Sequence, residues 1–228
     1  MFQLNRNRIF ILLLASVISF GTFTSQARAI AIAGDTAAST SGLGDFTGTM
    51  TYSFTSATEA QLIIELMNTS PELNGGFITA FVFNNPGDLI DSVVFSSSDA
   101  DFQLLGGPGF DDGVNGAPYG QFDVGSSTGS GFEGGGSPNV GIGVNSSAIF
   151  TFAFGGSMLD TLSELSFLLA LSEGTGAGEG YEGLVVRFRG FEDGGSDKVP
   201  GAEVPEPATA VLLGLSLLGA ARVRQRRA

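Results

Sequence analysis

Residues 46–54 read Phe46-Thr47-Gly48-Thr49-Met50-Thr51-Tyr52-Ser53-Phe54, apolar and small polar side chains in strict alternation. A period of two sends alternate side chains to opposite faces, so the run predicts a half-buried β-strand. Further strands are predicted at 61–68, 77–83, 89–95, 102–105, 148–154 and 184–191, with a short one at 121–124. Asn68-Thr69-Ser70-Pro71 and Asn84-Asn85-Pro86-Gly87 punctuate them as turns, and the prolines fall between the apolar runs, where a ladder needs no N–H. One helix is predicted over 160–171, where Thr161 and Glu164 have capping-box spacing and Leu162, Leu165, Leu168 and Leu169 share a face. A buried strand at 165–171 is the alternative. The whole predicts an all-β, antiparallel β-sandwich or jelly-roll-like ectodomain with one short helix.

Between 106 and 143 the pattern breaks, with 14 glycines in 38 residues. A disordered linker and an ordered loop are both compatible with that composition. Phe110, Tyr119, Phe122 and Phe132 favour a loop folded back over the core.

Both ends of the chain read as addresses. At the start, Arg6 and Arg8 precede an apolar run over 9–20, and Ala27 and Ala29 supply small residues at the −3 and −1 positions of a signal-peptidase cut. A retained N-terminal anchor is the competing reading. At the other end, Val204-Pro205-Glu206-Pro207 opens a helix, since proline suits a first turn. Residues 208–221 are 14 uncharged positions, followed by Arg222, Arg224, Arg226 and Arg227. Fourteen falls short of the ~20 that span a bilayer core. A buried core helix would suit the length, but the arginine cluster fits a membrane-inserted tail whose arginines snorkel and stay in the cytoplasm. The expected organisation is a signal peptide at 1–29, an ectodomain at 30–191, a linker at 192–203 and a sorting tail with a short transmembrane helix at 204–228.

A V-P-E-P box, a short apolar helix and a terminal arginine cluster together resemble the PEP-CTERM sorting signal of biofilm-forming bacteria. The resemblance covers about 25 of the 228 residues. It implies processing by an exosortase near the box, besides signal peptidase, and an extracytoplasmic, secreted, cell-surface or membrane-anchored protein. It names a destination and no activity.

Composition narrows the chemistry. Three basic and 22 acidic residues lie in 30–203, a net charge of −19, which repels nucleic acid and anionic surfaces. The chain has no cysteine and no histidine, so disulfides, His or Cys metal sites and Ser-His-Asp or Cys-His nucleophiles are excluded. Oxygen ligands remain: Asp99, Asp101, Asp111, Asp112 and Asn115 could hold a structural Ca²⁺, with solvated loop acids the commoner arrangement. No other cofactor is expected. Arg187 and Arg189, on one side of their strand, could grip a carboxylate ligand or form an internal ion pair, and the surplus of acids favours the pair. Thr47, Thr49 and Thr51 form a hydroxyl row of the kind that orders water at ice, yet a single row is also ordinary strand surface. Tyr52, Tyr119 and Tyr181 could stack on sugar rings or pack the core, the latter favoured without tryptophan. Asn68-Thr69-Ser70 and Asn145-Ser146-Ser147 match the glycosylation pattern. The leading expectation is a non-catalytic surface or matrix protein associated with exopolysaccharide. A carbohydrate-binding module comes next, then a glycan hydrolase using carboxylates such as Asp111 and Glu133.

Overall fold

The computed structural model describes residues 28–107, 109, 113–174 and 180–205. Thirteen strands run in chain order: β1 Arg28–Gly34, β2 Phe46–Ser56, β3 Glu59–Asn68, β4 Gly75–Phe83, β5 Ile90–Ser97, β6 Gln103–Leu105, β7 Val114–Asn115, β8 Gln121–Phe122, β9 Val124–Ser127, β10 Ile142–Gly143, β11 Ser147–Gly156, β12 Leu184–Phe191 and β13 Ser196–Glu203. Helix α1, Glu164–Leu169, lies between β11 and β12.

Eleven strands form one antiparallel sheet in the order β5-β11-β3-β2-β1-β13-β12-β4-β9-β6, with β10 also on β4; β7 and β8 pair separately. The end strands β5 and β6 are consecutive in the chain and joined by 98–102, so the sheet nearly closes into a barrel. The antiparallel all-β expectation holds. In place of two separate sheets there is a continuous one, because β1 and β13 bridge the halves through Ile32 opposite Glu203, Ala33 opposite Ala202 and Gly34 opposite Gly201.

The halves meet across a phenylalanine-rich core. Phe81 and Phe83 of β4 stand edge-on to Phe150 and Phe152 of β11, with centroids 4.7 and 5.0 Å apart. Phe102 caps Phe150 at 5.0 Å, and Tyr52 meets Phe167 of α1 at 5.6 Å. Such edge-to-face pairs suit the ring quadrupoles.

In the half built from β5, β11, β3, β2 and β1, one face packs and the other meets solvent, which is why β3 and β11 alternate. In the opposite half, β4 and β12 are buried on both faces. The glycine-rich segment supplies the second cover: Val114, Tyr119, Phe122 and Phe132 pack on Ala80, Val82 and Val185. The ordered-loop reading thus holds for its described residues. Close approach explains its glycine at 125, where a Cβ would lie 2.0 Å from the Phe81 carbonyl oxygen.

Three expectations change. Residues 28–34 and 196–203, read as signal boundary and linker, are strands β1 and β13. Their alternation is diluted by Ala, Gly and Pro, so sequence periodicity missed them. Helix α1 starts after Ser163, not Thr161, with the Ser163 N–H donating to Ser166 Oγ at 3.0 Å. That start turns the helix: Glu164 and Phe167 are buried, while Leu165 and Leu169 point to solvent.

Candidate functional site at the chain exit

β13 is fixed tightly enough to define where the domain stops. Asp197 is buried, and its carboxylate accepts hydrogen bonds from the N–H groups of Ser41 at 2.8 Å, Leu43 at 2.8 Å and Gly44 at 3.0 Å and from the Thr40 hydroxyl at 2.9 Å. It staples the loop after β1 to β13. Val199 fills the core beside it. Pairing runs to the last residue of β13 and one step past it, where the Val204 N–H donates to the Ala31 carbonyl at 2.9 Å. Val204 and Pro205 therefore leave directly from the edge of the β1–β13 seam.

The N-terminal boundary lies on the same seam. Ala29 is exposed in β1, opposite Thr51 of β2, and Ile30 follows opposite Met50. A cut after Ala29 would leave Ile30 at the head of the strand. Ala27, Glu206, Pro207, Arg222, Arg224, Arg226 and Arg227 lie outside the described residues.

All three basic residues of 30–203 are engaged in holding the glycine-rich cover. Arg187 of β12 and Lys198 of β13 both bond the Glu133 carboxylate. Lys198 Nζ also bonds the Ala117 carbonyl and sits 5.9 Å from the Phe132 ring centre. Arg189 donates to the Gly135 and Gly136 carbonyls at 3.3 and 3.4 Å. The internal ion pair favoured for Arg187 is present. Partial burial works to raise Glu133, but the Lys198 hydrogen bond and the two cationic charges outweigh it and hold its carboxyl below the usual range. Burial pushes the Arg187 guanidinium down against the attraction of Glu133.

A cleft of about 420 Å³ opens between the β4–β5 turn and β8, lined by Asn84, Asn85, Asp88, Gln121, Asp123 and Glu173. Burial raises Asp123, the Asn85 N–H at 2.8 Å opposes this, and the Asp88 and Glu173 charges add to the rise. Among the described residues no group of three or more acidic side chains is placed to hold a metal ion. Of the Ca²⁺ candidates, Asp99 accepts the Asp101 N–H at 3.0 Å in the β5–β6 turn, and Asn115 Oδ1 is taken by the Ala117 N–H at 3.0 Å. Asp111 and Asp112 lie outside the described residues.

The tyrosines do not assemble a stacking platform. Tyr52 and Tyr119 are buried, with the Tyr52 hydroxyl on the Leu159 carbonyl at 2.7 Å and Tyr119 on the Ala38 carbonyl at 2.5 Å; Tyr181 is exposed. Burial, then the Asp160 and Glu164 charges, push the Tyr52 phenol up to about 12. Asn68 is likewise internal, its amide donating to the Gly76 and Ile142 carbonyls. Asn145 bonds Glu72 at the surface.

The threonine row stands on a broad outer face. Register places Thr47, Thr49 and Thr51 between Ala33, Ala31 and Ala29 of β1 and Met67, Glu65 and Ile63 of β3. Thr151 and Ser96 continue the line from Ile63 across β11 and β5. A shallow groove of about 470 Å³ lies toward one end, with Ser53, Thr55, Gln61 and Ser92 around Val94 and Ala153.

Among the described residues no helix is long and apolar enough to cross a membrane. No curated protein and no solved structure matches the chain. The family model of the PEP-CTERM protein-sorting motif does match, at residues 203–227, beginning on the last residue of β13. The chain carries the PEP-CTERM protein-sorting motif, the mark of an exosortase-dependent extracytoplasmic surface protein.

Proposed function

We propose that this is an exported, non-catalytic surface protein, whose tail inserts in the membrane for sorting and whose barrel contacts extracellular polysaccharide in a biofilm matrix. The observation that carries the first part is the abutment of fold and motif: the domain ends on Glu203, where the motif begins. Signal peptidase is the proposed N-terminal processing enzyme, with Ala27 and Ala29 at its cut.

The non-catalytic reading is supported by Glu133, the one described member of the pair Asp111 and Glu133 that the hydrolase alternative would use. A general acid must hold a proton near neutral pH. Glu133 instead faces two cations that stabilise its charged form, which removes it as that acid, and with Arg187 on one oxygen and Lys198 on the other neither is left free to act as base or nucleophile. The polysaccharide reading is supported by the outer face, where the hydroxyls of Ser53, Thr55 and Ser92 and the Gln61 amide line one groove with Val94 and Ala153, a surface suited to neutral sugar hydroxyls. An aromatic-platform module has less support, with Tyr52 and Tyr119 in the interior.

Mass spectrometry of the protein released from the cell surface tests the export reading. It predicts an N-terminus at Ile30 and a C-terminus at or near the Val204–Pro207 box; an intact signal sequence on cytoplasmic protein would overturn it. Affinity electrophoresis through gels containing the producer's own exopolysaccharide tests the second part. Retardation is expected, and unchanged mobility would remove the polysaccharide from the account.

A further inference from the structure

Helix α1 turns leucine outward, away from the core. Phe167 is 0% exposed, yet Leu169 is 68% exposed and Leu165, one turn earlier, is exposed with it. An amphipathic helix on a soluble domain buries its apolar stripe and shows its polar one. Leu171 follows at 54%, and with the exposed ring of Tyr181 it lines one shallow depression beside the helix. The chain holds these parts together: the Ser172 N–H donates to the Glu182 carbonyl at 2.9 Å, and Gly183 passes so close to α1 that a Cβ there would lie 2.1 Å from the Leu168 carbonyl oxygen.

The location gives the exposure its meaning. Helix α1 packs against both β1 and β13, the two strands of the exit seam. Val204, also exposed, is the first residue beyond β13. Covalent geometry then limits how far the domain can stand from the membrane. The uncharged run begins at Ala208, four residues past Val204, which a fully extended chain spans in at most roughly 14 Å. Each headgroup layer is about 5–8 Å thick. The exit can therefore stand no more than roughly 6–9 Å clear of the headgroups, so the side chains around it face the lipid surface at close range.

We infer that the folded domain itself rests on the bilayer, through an apolar collar of Leu165, Leu169, Leu171, Tyr181 and Val204 around the exit of the tail. The inference rests on the membrane-inserted tail proposed above. Leucines and a tyrosine are side chains that an interface accepts, the ring lying among headgroups with its hydroxyl toward water. The domain's −19 charge is repelled by anionic lipid, so the partner is a zwitterionic lipid surface held by apolar contact. Docking in this way fixes the barrel's orientation, with the β3–β4 turn and its Leu73, 93% exposed, at the other ends of those strands and away from the membrane.

Single-cysteine labelling tests this directly, because the chain has no native cysteine to remove. Full-length Leu169→Cys, Leu171→Cys, Leu73→Cys and Leu213→Cys proteins, each carrying an environment-sensitive fluorophore, are reconstituted in phosphatidylcholine vesicles. Quenching is then compared between a lipid-borne nitroxide and aqueous iodide. The labels at 169, 171 and 213 are expected to be quenched severalfold more by the lipid nitroxide than by iodide, and the label at 73 the reverse. If 213 reports lipid while 169 and 171 behave like 73, docking is overturned and the inserted tail stands. If 213 also reports water, the membrane-inserted tail fails and the collar fails with it. If 169 and 171 are shielded from both quenchers, a protein surface covers them and the lipid assignment is wrong.

Discussion

The two halves of this barrel use the same strand chemistry and treat its outer side differently. The β5-β11-β3-β2-β1 half leaves a face of threonine, serine and alanine to solvent, with Glu65, Met67, Val94 and Ile149 among them. The β13-β12-β4-β9-β6 half is roofed by the glycine-rich segment, so β4 and β12 have two inner faces. The difference shows what glycine density can do here. Small residues let the segment lie close enough to bury Phe122 and Phe132 on the sheet, while three cations fasten it down. One half is an exposed platform, and the other is the anchored base that joins it to the tail.

The largest expected effect removes what the halves share. Phe83→Ala opens a cavity at the meeting of Phe152 and Phe167 and should cost about 3–5 kcal/mol. Urea unfolding should remain a single transition by tyrosine fluorescence and circular dichroism. Separate midpoints would show that the halves are independent units.

Next comes Glu133→Gln, which strips a countercharge from the largely buried Arg187 and should cost about 1–3 kcal/mol, discounted because Glu133 is itself partly exposed. Amide exchange should quicken over 113–136 and stay unchanged in β2 and β3. Equal changes in both halves would contradict the clamp.

Two carboxyls of the roofed half respond oppositely to pH. Glu133 has a lowered folded pKa, so it stabilises the fold above its unfolded pKa, and that stability is lost as pH falls through the folded value. Asp123 has a raised folded pKa, so its ionisation works against the fold at neutral pH and ceases to do so on acidification. Asp123→Asn should therefore raise Tm at pH 7 by a few degrees, with the gain shrinking toward acid. A gain independent of pH would point to a cause other than this carboxyl. Smallest of all, Thr49→Val on the platform should change stability by no more than about 0.5 kcal/mol, yet weaken retention by exopolysaccharide in affinity gels; full retention would move the proposed contact off that face.

Legibility in the sequence followed the same division. Phe46 to Phe54 and Ala148 to Phe154 alternate because one of their faces meets water, and both became strands of the platform half. β4 was visible as an apolar run, but nothing in that run says that its second cover comes from 113–136, a contact between segments far apart in the chain. β1 and β13 were missed because Ala, Gly and Pro carry little periodic signal, and their pairing joins the two ends of the ectodomain. The buried carboxylate of Asp197 reads in sequence like any other surface acid, since four of its donors come from residues 40–44, far away in the chain. The sorting motif was readable because it is local: its box, its apolar run and its arginines are consecutive. The outward turn of Leu165 and Leu169 depends on which serine or threonine caps α1, and the two possible caps differ by only two residues.

The account turns on β13 being part of the barrel and running up to the sorting motif. Native-state hydrogen exchange of the full-length chain, read by peptide mass spectrometry over 184–205, measures this most directly. The paired amides of β13 and the Val204 amide should be protected to the same order as those of β12. Exchange through 196–204 at the rate of an unstructured tether would contradict it.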